Sequence, residues 1–416
     1  MPNNRFKQVI SNHSYRRLWG IGIVSSTMRW METVAIGIFV FELTGSPFWV
    51  ALVGFLRMLP SFLLGPMIGL ISDRVNRKKM IGVTFGILAA VYAVMAFFVV
   101  SDQIELWHVC LVATVAGIMW ATDFPVRRAM IGDAVGESGI STAIGIDQAS
   151  GNFARVIGPL GAGAFLASIG VEAAYITGAV LFSLGSILAF SLPSSKAAKQ
   201  IASNSAGYFA NLSEGLKHVK ADKIIVVTLI ITVVMNIFGF PYQHMVPVIG
   251  AETLKVGPLL IGVLLAVEGV GATLGSLLIA LSAQPRRYTK IYSVGSILFL
   301  TAILLFSLSP SYLIALPILL IGGFSMSGFA TMQSVIVITS TPAEIRGRVL
   351  GVLASSVGTG PFGALLVGVL ATWWGANNAV TAIAVAGLTF TLIALVVWPS
   401  YFRSTVTERT IRTTDN

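Results

Sequence analysis

Residues 224–234 read Ile-Ile-Val-Val-Thr-Leu-Ile-Ile-Thr-Val-Val. The run does not alternate between apolar and polar positions, so it is not the wall of a membrane β-barrel, whose strands show alternation over about 10 residues. Its apolar flanks extend it to 223–246, enough for the roughly 20-residue helix that crosses a hydrocarbon core of about 30 Å. Stretches of the same kind occur at 18–41, 48–71, 80–100, 106–124, 143–169, 172–193, 257–281, 290–308, 311–338, 348–371 and 377–398. Composition agrees. Of 416 residues, 55% are hydrophobic and 11% charged, and the mean hydropathy is +0.86. A soluble domain carries about 25% charged residues because its surface faces water. The expected fold is therefore all-α and integral to the membrane, with twelve transmembrane helices and the lipid bilayer as surroundings. The net charge of +10 does not indicate a nucleic-acid partner, since such proteins are not this apolar. The single cysteine, Cys110, excludes an internal disulfide. His13, His108, His218 and His244 are scattered, so no metal site and no cofactor are expected.

Orientation follows from the cations. Between these stretches, 23 of the 27 Lys and Arg residues fall on one side: at the N-terminus, after spans 2, 4, 6, 8 and 10, and in the tail. Lys255 alone falls on the other side, and Arg29, Arg57 and Arg155 lie inside spans. This split predicts a multi-pass protein of the cell membrane with both termini cytoplasmic. Residues 1–17 are polar and lead into a full-length span, so no cleavable signal peptide is expected.

The chain divides into a six-helix half at 1–193, a linker at 194–222, and a second six-helix half with a short cytoplasmic tail at 223–416. In the linker Tyr208, Phe209, Leu212, Leu216 and Val219 fall on one helical face, which predicts an amphipathic helix on the membrane surface or on the bundle. Gly158-Pro159-Leu160-Gly161-Ala162 is echoed 202 residues later by Gly360-Pro361-Phe362-Gly363-Ala364, suggesting a duplication. Related halves with a site at their interface are a common transporter plan. No GxxxxGK[ST] occurs, so pumping would draw on an ion gradient or a partner.

Gly69-Leu70-Ile71-Ser72-Asp73-Arg74-Val75-Asn76-Arg77-Lys78-Lys79 resembles the G-x-x-x-D-R-x-G-R-K-K loop of the major facilitator superfamily. Asn76 replaces the usual glycine, and since Asn also tolerates a left-handed turn, the same tight loop is expected. The resemblance implies that Gly69, Asp73, Arg74 and Arg77 latch against the start of helix 11. There Thr341-Pro342-Ala343-Glu344 reads as a capping box with proline at the first helical position. Gly145, Ala154, Gly158, Pro159 and Gly163 are similar to the G-x8-G-x3-G-P-x2-G-G pattern of the superfamily's antiporters, with alanine at two glycine positions. Further stretches, among them Phe41–Pro47, Asp123–Arg128 and Pro342–Gly351, look like its macrolide-efflux and siderophore-export branch. The resemblance implies the major facilitator fold, a small-molecule substrate and protons as coupling ion.

An ionisable group at mid-membrane costs about 2.5–3.5 kcal/mol on insertion scales and is a functional candidate by default. Arg29 and Glu32 are three residues apart on one helical face, where they can pair, at roughly 16–21 Å along the axis from Leu18. Arg57, Arg155 and Glu268 are also deep, whereas Asp123 and Asp147 lie closer to the cytoplasmic edge. Helices 5 and 8 pack together in the superfamily, so Arg155 and Glu268 are candidates for a bridge between halves. Either Glu32 or Glu268 is a candidate proton carrier. The deep charges sum to one net positive, a tilt toward an anionic or zwitterionic substrate. Trp30, Trp120, Phe124, Gln148 and Asn152 are candidate cavity contacts.

The expected function is secondary active transport: proton-coupled efflux of a small amphiphilic molecule, drug- or siderophore-like, by alternating access. A monomer is expected, since nothing in the chain demands a partner subunit. An importer or uniporter of a small solute is the alternative within transport. A membrane enzyme would need a surface cluster of His, Asp or Glu, which the sequence does not offer, so no enzyme is expected. A non-transporting sensor would carry an appended soluble domain, and the tail after Trp398 is short.

Overall fold

The computed structural model describes residues 2–72, 75–193, 217, 219–220, 222–282, 284–342 and 345–403. In chain order the helices are α1 (Pro2–Ser11), α2 (His13–Thr44), α3 (Pro47–Ser72), α4 (Arg77–Val100), α5 (Leu106–Ser168) and α6 (Val171–Phe190). They continue with α7 (Lys223–Val234), α8 (Tyr242–Glu252), α9 (Pro258–Ser282), α10 (Tyr288–Ser307) and α11 (Tyr312–Ser340). The last four are α12 (Arg346–Val357), α13 (Gly360–Trp374), α14 (Ala376–Val397) and α15 (Pro399–Arg403). The described residues contain no strand. The linker at 194–216, with most of its expected amphipathic face, and Asp73, Arg74, Ala343 and Glu344 lie outside the described residues.

Eleven helical stretches among the described residues are long and apolar enough to cross a bilayer. The span expected at 143–169 is the part of α5 beyond Gly136. Its Asp147, Gln148, Asn152 and Arg155 hold down its hydropathy, and it completes the expected helix order. Helix α5 covers 63 residues but is two helices in effect, because Gly136 breaks it at φ 66° and ψ 177°. A side chain disfavours that backbone region.

The chain forms two compact units. The first comprises 1–45, 53–204 and 257–266, the second 46–52, 205–256 and 267–416. In the first, α2 lies along α5, and α4 lies along α6. The α4–α6 seam is aromatic: the Phe182 ring meets Phe85 at 5.6 Å and Tyr92 at 5.1 Å, both edge-on, with Gly178 against Tyr92 and Gly185 against Phe85. In the second unit α10 packs along α11 and α14. Its buried hydroxyls satisfy one another, as polar groups in an apolar core must. Tyr292 Oη lies 2.9 Å from Thr232 Oγ1, and Tyr401 Oη lies 2.9 Å from Thr228 Oγ1.

Two local expectations are corrected. Asn76 is not left-handed: with φ −63° and ψ 108° it is the N-cap of α4, its side-chain oxygen accepting from the backbone N–H groups of Lys78 and Lys79. Capping uses Asn's short acceptor where the turn would have used its tolerance of positive φ. Helix α12 begins at Arg346 with Ile345 as N-cap, not at Pro342, and Thr341 instead closes α11.

The broken helix yields a test. Gly136→Ala should cost about 1–3 kcal/mol, since the alanine must adopt the strained backbone. Gly145→Ala, at a helical site with no neighbour within 4 Å of an added methyl, should be neutral or slightly stabilising. Thermal unfolding of the two variants in detergent separates these outcomes.

Candidate functional site

The first unit gathers Arg29, Glu32, Arg57 and Arg155, and the second holds Glu268. Glu32 is buried and forms its ion pair with Arg57 of α3, Nη2 to Oε2 at 2.8 Å. This replaces the Arg29–Glu32 pairing expected within α2. Arg57 approaches from the neighbouring helix and finds three acceptors at once: Glu32, the Arg29 carbonyl at 3.1 Å and Thr33 Oγ1 at 3.2 Å. A planar fork with several donors satisfies that arrangement well. The Tyr92 phenol of α4 also faces the Glu32 carboxylate. Close approach of backbones makes this possible, because a methyl at Gly117 of α5 would collide with the Arg57 carbonyl.

Released from Glu32, the Arg29 guanidinium lies over the Trp120 ring, 3.8 Å from its centroid. A guanidinium on an indole face is an attractive cation–π arrangement. Arg155 lies 4.8 Å from the centre of the Trp30 ring. Beside Arg29 lies a small pocket lined by Arg29, Glu32, Arg57, Trp120, Asp123 and Ser25 with apolar side chains of α4 and α6. Apolar walls with a few convergent polar groups are the usual make-up of a small-molecule site.

Beside the cavity is an ion network that sequence reasoning did not assemble. Asp123, Arg127 and Asp147 are all buried. Arg127 Nε lies 3.3 Å from Asp123 Oδ1, and the Arg127 Nη1 group is paired with Asp147 across the Gly136 break. Ser25 of α2 donates to Asp123 Oδ2 at 2.8 Å. The neighbouring Arg128 donates to Gln148 at 2.7 Å and lies over Phe124. Arg127 reads as an edge cation in the sequence. The available signal was Asp123 four residues before it on one helical face, whereas the third member, Asp147, is reached only through the tertiary fold.

The remaining candidates are dispersed. In the antiporter-like stretch, Ala154 is buried, and Gly158 packs so closely on α2 that a methyl there would fall 2.6 Å from Trp30 Cβ. Gly163 lies on Pro258 and Leu259, residues of the same unit. Arg77 of the basic loop is paired with Asp133 of α5 at 3.0 Å. In the second unit Glu268 is buried and accepts from Gln243 Nε2 at 3.2 and 3.3 Å. Gly69 lies within α3.

Removing one member of a buried ion pair strands the other. Glu32→Gln or Arg57→Gln alone should destabilise the protein by about 3 kcal/mol. The Glu32→Gln/Arg57→Gln double variant, which leaves no orphan charge, should recover most of the loss. A thermal-shift double-mutant cycle reads the coupling directly.

The profile of a family described as transmembrane secretion effectors matches residues 8–408. The staphyloferrin A transporter of Staphylococcus aureus (strain NCTC 8325 / PS 47) is 22% identical over 88% of this chain and 91% of its own. Macrolide efflux protein A of Streptococcus pyogenes is 23% identical over 87% of this chain and 90% of its own. The crystal structure of the nucleoside transporter NupG superposes with a TM-score of 0.75 at 13% identity, covering 93% of this chain and 99% of that one. A continuous match over nearly the whole chain, on an all-helical membrane fold shared with solved transporters, shows that the chain belongs to the transmembrane secretion effector family of major facilitator transporters and is a transporter, not an enzyme.

Proposed function

We propose that the chain is a proton-coupled exporter of a small amphiphilic molecule, drug- or siderophore-like, working by alternating access in the cell membrane. The observation that carries this reading is the cavity of the first unit, where Arg29 lies on the face of Trp120 beside the neutralised Glu32–Arg57 pair. An aromatic wall suits a flat apolar body, and the guanidinium edge suits an acceptor group on the same molecule. Export is supported by a relative named for macrolide efflux, and a siderophore-like substrate by one named for staphyloferrin A. A gradient as energy source is compatible with a chain that has no Walker-type loop of its own. The cation asymmetry supports cytoplasmic termini, and Gly69, Asp73, Arg74 and Arg77 serve the conformational cycle, with the Arg77–Asp133 pair as one of its contacts. The working unit is a monomer.

The test uses inverted membrane vesicles energised by respiration and a pH-sensitive dye. A macrolide, a lipophilic cation and an anionic siderophore are added in turn. At least one should partly collapse the gradient, and Arg29→Gln should raise the concentration needed by tenfold or more. Failure of the whole panel in wild-type vesicles would contradict proton-coupled export of this class.

A further inference from the structure

The buried carboxylates described in the first unit, Glu32, Asp123 and Asp147, each have a guanidinium partner. Glu32 is paired with Arg57. Asp123 and Asp147 are paired with Arg127, and Arg128 adds a second cation within the field of Asp147. Arg29 is the cation left over. Among the described residues no carboxylate pairs with it. Its guanidinium lies 3.8 Å from the centre of the Trp120 ring and 5.7 Å from that of Trp30, and the charges acting on it are two further guanidiniums, Arg57 and Arg155. A cation in such surroundings is costly until an opposite charge joins it. We infer that Arg29 is the counter-ion of the transported molecule, so that the substrate is an organic acid whose carboxylate supplies the negative charge the chain does not. This names the substrate class of the site proposed above and rests on that reading.

The way Arg29 is held suits that role. A guanidinium stacked on an indole uses its face and keeps its in-plane N–H donors at the edge. Among the described residues no acceptor takes those donors, and Arg29 is only half-buried. A planar fork of this kind receives a carboxylate through two parallel hydrogen bonds. Arg128 is the contrast. Its guanidinium lies 4.1 Å from the centre of the Phe124 ring, but it donates to Gln148 at 2.7 Å and has Asp147 nearby. Its charge is already answered within the chain, so one acidic group on the substrate suffices. The rest of the molecule has an apolar surface beside Arg29. Phe124 is 40% exposed and lies one helical turn from Trp120, with ring centroids 6.1 Å apart. Aromatic area next to a guanidinium edge fits a molecule that is apolar along its body and acidic at one end. A cationic amphiphile of the same shape would bring a like charge to Arg29, which selects against it.

Three probes that share one naphthyl body test the assignment: the carboxylate, its primary amide and the trimethylammonium analogue. Each is titrated into the full chain in neutral detergent by calorimetry. The wild type should bind the carboxylate at least tenfold more tightly than the other two. Arg29→Gln should bring the carboxylate down to the affinity of the amide, and Arg29→Glu should reverse the order in favour of the ammonium. Phe124→Leu should weaken all three alike and keep their order, because it removes ring contact and no charge. Arg29 holds no carboxylate of the chain in place, so Arg29→Gln should lower the melting temperature far less than Arg57→Gln, which strands Glu32. An equal loss would mark Arg29 as a structural partner and overturn the proposal. Binding to the wild type that ignores the charge of the probe, that favours the ammonium, or that is undetectable for the carboxylate overturns it too. The energised vesicles separate this claim from the one it rests on. Collapse of the gradient by a lipophilic cation and by no acid would keep proton-coupled export and overturn the acid assignment. Arg29-dependent binding of the carboxylate with no vesicle response to any compound would refute proton-coupled export and leave the acid site in place.

Discussion

Charge neutralisation inside an apolar solvent is the constraint on which the first unit depends. Each ion placed there must meet a counter-ion or an aromatic face with good geometry or the cost exceeds what packing returns. The chain meets this in two ways within one helix set. Arg57 and Glu32 form a closed pair between α3 and α2, and Asp123, Arg127 and Asp147 form an open trio between the two parts of α5. The pair is matched one to one, and beside the trio lies a second guanidinium, that of Arg128, which hydrogen-bonds Gln148.

These arrangements depend on glycine. Gly136 breaks α5, so a residue 20 positions beyond Arg127 can return to it. Gly117 admits the backbone of Arg57, and Gly158 brings α5 onto α2 at Trp30. Without hydrophobic drive between helices in lipid, packing of small residues is what holds such contacts. The result sets two guanidiniums on indole rings, Arg29 on Trp120 and Arg155 on Trp30. Arg29 is thereby held by a ring face and not by a carboxylate, which leaves its edge donors directed at whatever enters the cavity.

Helix number and class were legible in the sequence because bilayer thickness imposes a length and backbone satisfaction imposes a helix, and both leave runs such as 224–234 in plain view. The family was legible because its loop motif between spans 2 and 3 is an ordered set of glycine, acid and base. Spacing on one helix did not fix the pairings. Arg29 and Glu32 satisfy that spacing, yet Glu32 binds Arg57, because a neighbouring helix offered Arg57 three acceptors together. Arg127 reads as an interfacial cation since hydropathy averages over its neighbours and cannot register that Asp147 returns to it. Asn76 was read for its backbone tolerance and is used for its side-chain oxygen.

If export is proton-coupled, the binding of substrate and the binding of a proton are linked. The most direct measurement is proton release on binding, followed with a pH electrode in weakly buffered detergent solution at mildly acid pH, using the first compound that collapses the vesicle gradient. Binding to the wild type should expel a proton. Binding that releases none would contradict proton-coupled export.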